Sequence, residues 1–420
     1  MPKIKKIQPR EILDARGWPT LEVEVLLDNG LIAKASVPSG LSVGKYEATE
    51  LRDGDKKRYQ GKGVLKAINK IIEVINPVLI GLDIYKQKEI DQKLITLDGT
   101  ETKSNLGANS ILAISLACAR AGARDKKQEL FEYLASVYDF AAPKIPVPIF
   151  NLFNGGQHAD TNLDFQEFLV IPKKANAAEM IRQGVEIFQT LGAELRQAGL
   201  DTDTGIEGGY APDLDSSIEA IEFILAATIR AGYNPGKDLW LGLDIGSNVL
   251  FDDFSKRYIF PLDKTYFSAN SLLGLYDSWL KKYPIIYLED AFAEDDWDNW
   301  RALTSEMGDK LMVAGDDLFV SSSKRLRRGI KEQAANSIVV APNQVGTLTE
   351  TMDCIKLANK HNFKVIISHR SGETNDDFIV DLAVAVSADY LKAGSLSRGE
   401  RVAKYNRLLI IAEILEKNGK

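Results

Sequence analysis

Leu21, Val23, Val25 and Leu27 alternate with Glu22 and Glu24, the period of a strand with one buried face. Asp28-Asn29-Gly30 follows and predicts a hairpin turn, with Leu31 to Val37 as the returning strand. From Val64 to Ile75 apolar residues recur at helical spacing, which predicts a helix that stops before Pro77. Ala108 to Ala123 predicts a second helix, whose small side chains suit close packing. Pro143, Pro146 and Pro148 then crowd one short stretch, which favours extended, semi-rigid chain. The domain boundary is placed there, giving residues 1–139 and 140–420.

Beyond the boundary, short apolar runs end in polar residues and give way to helical pattern. The runs are Val147–Phe153, Phe165–Ile171, Leu239–Leu243, Ile285–Leu288, Leu311–Ala314, Ile338–Val340, Val365–Ile367 and Tyr390–Leu391. Strands alternating with helices imply an α/β fold with a largely parallel sheet, and eight repeats predict a closed barrel. Only a dozen residues, mostly Gly, Asn and Asp, separate the first two runs, too few for a crossover helix. That pair is expected to be antiparallel.

Composition narrows the chemistry. The 420 residues are 45% apolar and 26% charged, ordinary values for a globular chain with a sizeable core. The formal charge of −7 argues against a basic nucleic-acid face. No apolar run reaches the ~18 residues of a membrane span, and the start, Met1-Pro2-Lys3-Ile4-Lys5-Lys6, shows no secretory h-region. Two cysteines, Cys118 and Cys354, make no disulfide framework, so a reduced, cytoplasmic setting is expected. Three histidines exclude a His-rich zinc site.

In an α/β barrel, chemistry sits where strands end. The residues after the later runs are Asp244, Glu289-Asp290, Asp316-Asp317, Ala341, His369-Arg370-Ser371 and Lys392. Carboxylates at three successive strand ends repel one another unless a cation lies between them. Hard oxygen donors without Cys point to Mg²⁺; the competing reading is that each Asp caps the helix that follows. Beside a metal, Arg370 and Ser371 read as a phosphate or carboxylate clamp. Glu167 lies inside an apolar strand, a costly place for an unpaired charge, and Glu207 lies in the Gly-rich loop Gly205–Gly209. Each alone reads as structural; together they read as a general-acid site. Ser39-Gly40-Leu41-Ser42-Val43-Gly44 reads either as a closing lid or as a linking turn. His158 follows Gly155-Gly156-Gln157.

These motifs make the chain resemble enolase (phosphopyruvate hydratase) from end to end. The resemblance is carried by Leu13 to Gly17, Glu50 to Asp55, Asn154 to Asp160, Phe165 to Phe168, Glu289-Asp290, Gly315 to Val320, Asn343 to Glu350 and Ser368 to Thr374. It implies a small α+β N-terminal domain carrying a lid, and a modified eight-stranded barrel. It also implies a homodimer or an assembly of dimers, and reversible dehydration of 2-phosphoglycerate to phosphoenolpyruvate. Carried over residue by residue, Asp244, Glu289 and Asp316 hold the first Mg²⁺, and Ser39 helps hold a second, substrate-dependent Mg²⁺. Arg370 and Ser371 clamp phosphate. His158, His369 and Lys392 contact the substrate, and Glu207 with Glu167 handles the leaving hydroxyl. Lys420 is similar to the C-terminal lysine of enolases displayed on cell surfaces.

The departures bear on activity. The family's base is a Lys where this chain has Ala341, before Pro342-Asn343-Gln344-Val345-Gly346-Thr347. The family's Asp before the loop glutamate is Ile206, and Leu41, Val43, Trp18 and Gln157 also depart from its pattern. The resemblance therefore predicts impaired dehydration. The alternatives are a changed reaction on a related phosphorylated carboxylate and a non-catalytic ligand-binding homologue.

Overall fold

The computed structural model describes residues 1–41 and 43–419; Ser42 of the predicted lid and Lys420 lie outside the described residues. The chain opens with an antiparallel sheet of β1 (Ile4–Leu13), β2 (Pro19–Leu27) and β3 (Ile32–Ser36). Glu22 pairs with Ser36 and Val25 with Ala33 across the predicted hairpin. Leu21, Val23, Val25 and Leu27 are fully buried, as their alternation requires. They face the helix Ala108–Asp125, in which nearly every residue from Ala108 to Ala123 is buried. Small side chains let it lie close to the sheet and against Tyr133, whose ring fills the place a Cβ on Gly122 would take.

The helix expected over Val64–Ile75 differs in detail. It runs from Leu65 to Lys70, widens into a π turn over Ile71–Ile75, and continues as Asn76–Leu79. Pro77 does not stop the chain, because it falls in the first turn of the new segment, where its missing N–H is not needed.

All eight predicted runs become strands of one closed barrel. They are β4 (Val147–Asn154), β5 (Glu167–Pro172), β6 (Leu239–Asp244), β10 (Ile285–Glu289), β11 (Met312–Gly315), β12 (Ser337–Val340), β13 (Lys364–Ser368) and β14 (Tyr390–Lys392). Between β6 and β10 lies a small separate sheet of β7 (Phe251–Asp252), β8 (Arg257–Phe260) and β9 (Thr265–Phe267), which the sequence pattern does not foretell. β4 and β5 are antiparallel, as expected, and β5 is also antiparallel to β6; the remaining barrel pairs are parallel. The barrel interior is packed by Ile149, Leu169, Ile171, Tyr287, Val339 and Ile366, so it is a core and not a pore. Among the described residues, no helix is long and apolar enough to cross a membrane.

Candidate active site at the carboxyl ends of the barrel strands

The reversed strand β5 decides how the site is assembled. Its direction sets Glu167, at its start, beside Asp244 at the end of β6 and Asn154 at the end of β4. Asp244 in turn pairs in register with Glu289 at the end of β10. One mouth of the barrel thus gathers Glu167, Asp244 and Glu289 on neighbouring strands. Lys392, closing β14, reaches across to all three. Its Nζ lies 2.9 Å from Asp244 Oδ2, 2.7 Å from Glu289 Oε2 and 3.1 Å from Glu167 Oε1, and all four side chains are buried.

These charges shape one another. Burial, and then the Asp244 carboxylate, push Glu289 up to about 8 against the pull of Lys392. Burial opposes the charge on Lys392, yet Asp244, Glu167 and Glu289 hold its amine well above the ordinary lysine range. Tyr287 adds a hydroxyl that donates to Glu289 Oε2 at 2.6 Å.

Asp316 follows β11 and belongs to a second acidic group. Ligand oxygens of Asp290, Asp316 and Asp317 lie within 4.8 Å of one another. Asp290 adopts φ 43°, a left-handed conformation uncommon for a non-glycine residue. In that pose its carboxylate accepts the backbone N–H groups of Asp316 and Asp317, both at 3.0 Å. Asp316 Oδ1 also accepts from Gln344 Nε2 at 2.7 Å. Asp317 Oδ2 accepts from Asn248, which lines a cleft of about 580 Å³ between the exposed lid residue Val43 and the β7–β9 sheet.

The anion clamp is present and occupied from within. Arg370 is buried, and its NH2 lies 2.9 Å from Glu47 Oε1. Glu47 also accepts the backbone N–H of Gly44, so the lid segment is tied to the clamp. Gly40 approaches equally closely: a Cβ there would lie 2.5 Å from Arg370 NH2. Ser371 Oγ is 3.3 Å from His158 Nε2. On its other nitrogen, His158 Nδ1 lies 3.4 Å from Glu207 Oε2 and 3.8 Å from Glu167 Oε1. Glu207 also accepts from Asn151 Nδ2 at 3.2 Å and faces His369 Nε2 at 3.8 Å. Burial and the neighbouring Glu207 carboxylate push Glu167 well up. Burial would raise Glu207 as well, but His158, His369 and Arg401 outweigh it and hold it low. The two carboxyls are thus pushed in opposite directions, Glu167 toward its protonated form and Glu207 toward its ionised form.

Two predicted positions stand differently. Ser39 is buried, but its Oγ donates to Glu50 at 3.0 Å and accepts from Arg52 at 2.8 Å, while its backbone pairs with Gly372. Its hydroxyl is thus engaged within the N-terminal segment and not with the strand-end carboxylates. Ala341 is buried just past β12, bonded through its backbone to the Ser321 hydroxyl, and brings no titratable group to the mouth.

The donor set suits a hard divalent cation. The strand-end candidates offer carboxylate oxygens, and a second close group, His158 with Glu167 and Glu207, adds an imidazole. Asp244 Oδ1 is buried without a hydrogen-bond partner among the described residues, an arrangement that costs free energy unless a cation meets it. The ligand oxygens of Asp290, Asp316 and Asp317 also lie close enough together to hold an ion.

Comparison with family models settles the lineage. The model of the enolase C-terminal TIM barrel domain matches residues 142–420, and that of the enolase N-terminal domain matches residues 4–134. The chain belongs to the enolase family. Membership makes it a lyase-type enzyme of the enolase superfamily, with a small N-terminal sheet-and-helix domain and an enolase-type barrel.

Sequence reasoning missed several residues of this enolase site. Glu47, Gln344, Asn151, Tyr287 and Arg401 are buried polar groups at the mouth, each bonded to a predicted residue. Gln344 stood three residues past Ala341. Nothing in the periodicity marked Arg401, which comes from the last helix, Gly399–Lys417.

Proposed function

We propose that this enolase-family chain is a Mg²⁺-dependent hydro-lyase for 2-phosphoglycerate and phosphoenolpyruvate, slowed because position 341 carries no base. One observation supports the reading above others. A carboxylate set, a buried arginine with a serine, and a buried glutamate pair beside His158 all open on one barrel mouth. Asp244, Glu289 and Asp316 are the ligands for Mg²⁺, which when bound acidifies the hydrogen beside the substrate carboxylate, the pattern of enolase-superfamily sites.

The chain's own residues do the rest. Arg370 exchanges Glu47 for the substrate phosphate, and Ser371 adds a hydroxyl donor. His158, His369 and Lys392 flank the substrate. Glu167, whose carboxyl is pushed toward its protonated form, supplies the proton that leaves with the hydroxyl, and Glu207 holds the opposing charge. Ser39 reaches a second Mg²⁺ only by giving up Glu50 and Arg52. The reading carries with it a place in glycolysis and gluconeogenesis, a cytoplasmic setting, and a homodimer or an assembly of dimers.

Ala341 favours a second reading. With Ala341 and Ile206, that wall is smaller and less charged than a Lys and an Asp would make it. A related phosphorylated carboxylate of larger size would fit such a wall, and a ligand-binding homologue without turnover would tolerate it.

The test is the initial rate of phosphoenolpyruvate formation, followed by absorbance with Mg²⁺ present. Loss of a general base costs about 10²–10⁴ in rate. Ala341→Lys is therefore expected to raise the rate by at least ~10²-fold, and the gain should vanish when Glu207→Gln is added. A parent as fast as Ala341→Lys would show that another base operates. Parent and variant equally inactive, with phosphoenolpyruvate still bound, would leave the changed-reaction reading.

A further inference from the structure

Arg401 is fully buried, although guanidinium groups rarely are. It lies in the helix Gly399–Lys417, outside every motif that pointed to the site. Its NH1 donates to His369 Nδ1 at 2.6 Å and to the Arg370 carbonyl at 2.7 Å. Its NH2 donates to the Ser371 carbonyl at 2.6 Å and to the Ile206 carbonyl at 3.1 Å. One planar fork thus ties the clamp segment 369–371 to the loop that carries Glu207. No lysine can span that set, because a single ammonium lacks the fork.

The contact with His369 has a chemical consequence. A guanidinium carries donors only, so His369 Nδ1 must accept and can hold no proton. A neutral His369 then carries its hydrogen on Nε2, the atom 3.8 Å from Glu207 Oε2. The groups facing this imidazole are Glu207, Arg401, Lys392 and Lys404. Burial keeps it uncharged, the Glu207 carboxylate opposes that, and the three cations add to it.

We propose that Arg401 is a positioning residue that fixes His369 as its neutral Nε2–H tautomer and so aims an N–H donor at Glu207. At 3.8 Å the N–H dipole favours the ionised form of Glu207, beside a Glu167 carboxyl that burial pushes up. Through the Ile206 and Ser371 carbonyls the same guanidinium sets the spacing between the acid loop and the phosphate clamp. The catalytic part of this inference rests on the proposed role of the Glu167–Glu207 pair; the tautomer does not.

The experiment is long-range ¹⁵N–¹H correlation NMR on histidine-labelled full-length protein. The chain has three histidines, and His361 is exposed, so the spectrum is assignable. At pH 7, His369 should show one protonated nitrogen, Nε2, and one unprotonated, Nδ1, unchanged between pH 6 and 8. An Nδ1–H form or an imidazolium at pH 7 in the parent overturns the proposal without any variant. Arg401→Met should lose the single tautomer, while Arg401→Lys, which still offers a donor to Nδ1, should restore it. A folded Arg401→Met that keeps the pure Nε2–H form also overturns the proposal; if it fails to fold, the parent spectrum decides. Where dehydration is measurable, Arg401→Lys should lower kcat at least tenfold and change KM less than threefold. The predicted tautomer with no dehydration would leave the assignment of Arg401 standing and count against the enolase reaction alone.

Discussion

Lys392 is the residue whose removal separates structural charge balance from metal binding most cleanly. Its ammonium is within 3.1 Å of oxygens of Asp244, Glu289 and Glu167. All three carboxylates are buried, with side chains 6%, 1% and 2% exposed. Lys392→Met keeps the side chain's length and apolar stem and deletes the charge. Breaking a buried ion pair from one side costs about 3–5 kcal/mol, because the partner charge stays behind. Glu289 softens the loss, since a carboxyl pushed up to about 8 already holds its proton for the most part at neutral pH and leaves little uncompensated charge. The expected loss of unfolding free energy without metal is therefore near the lower end, about 3 kcal/mol.

Mg²⁺ should act in the opposite sense. A lysine ammonium among the ligands competes for their oxygens and repels the ion, by about 4 kcal/mol per unit charge at 4 Å and an effective dielectric of ~20. Even if side-chain motion relieves most of that, Lys392→Met should bind Mg²⁺ at least about tenfold tighter, a gain of ~1.4 kcal/mol. At a hundred times Kd, Mg²⁺ then restores about 2.7 kcal/mol, nearly the whole loss. Urea unfolding in chelator and in Mg²⁺, together with titration calorimetry, measures both quantities. A variant that loses under 1 kcal/mol without metal and binds Mg²⁺ no more tightly than the parent would refute this account of the mouth.

Asp316→Ala should abolish most of the calorimetric heat of Mg²⁺ binding; unchanged affinity would remove Asp316 from the ligand set. Phosphoenolpyruvate at millimolar concentration with Mg²⁺ should raise Tm, and Arg370→Gln should erase the rise; a shift that survives that change places the anion elsewhere. Asp91 gives a pH test remote from the mouth. Burial raises its carboxyl to about 6 despite bonds from Thr349, Ser115 and Gln87. A folded-state pKa above the unfolded one means that folding binds a proton, so this contribution is full below pH ~4 and is lost as pH rises to about 6, by ~3 kcal/mol. Asp91→Asn should lack that slope, so the parent's stability should fall relative to the variant's between pH 4 and 7; a constant difference would contradict the shift.

The barrel was legible because each of its strands is buried and short, and because a polar residue punctuates its end. The β4–β5 reversal was legible for a geometric reason: a dozen residues cannot hold a crossover helix. β1 was not, since its burial does not alternate and much of its length is half-exposed. Its register comes from β2, a partner that local pattern does not reveal. The π turn over Ile71–Ile75 was hidden because Pro77 reads locally as a stop.

The candidate site shows the same division on a finer scale. Residues at strand ends could be named in advance, because chain direction and barrel closure carry them to one mouth whatever their side chains do. What local pattern could not give is which charge answers which. Lys392 was expected on a substrate carboxylate and instead bridges the protein's own; Arg370 was expected on phosphate and instead meets Glu47. Both follow from one physical requirement. Buried fixed charges need opposite partners, and the nearest ones on neighbouring strands and on the lid segment supply them. Position 341 is outside this balance. A buried alanine there neither requires nor supplies a countercharge, so the ion pairs of the mouth form without regard to it.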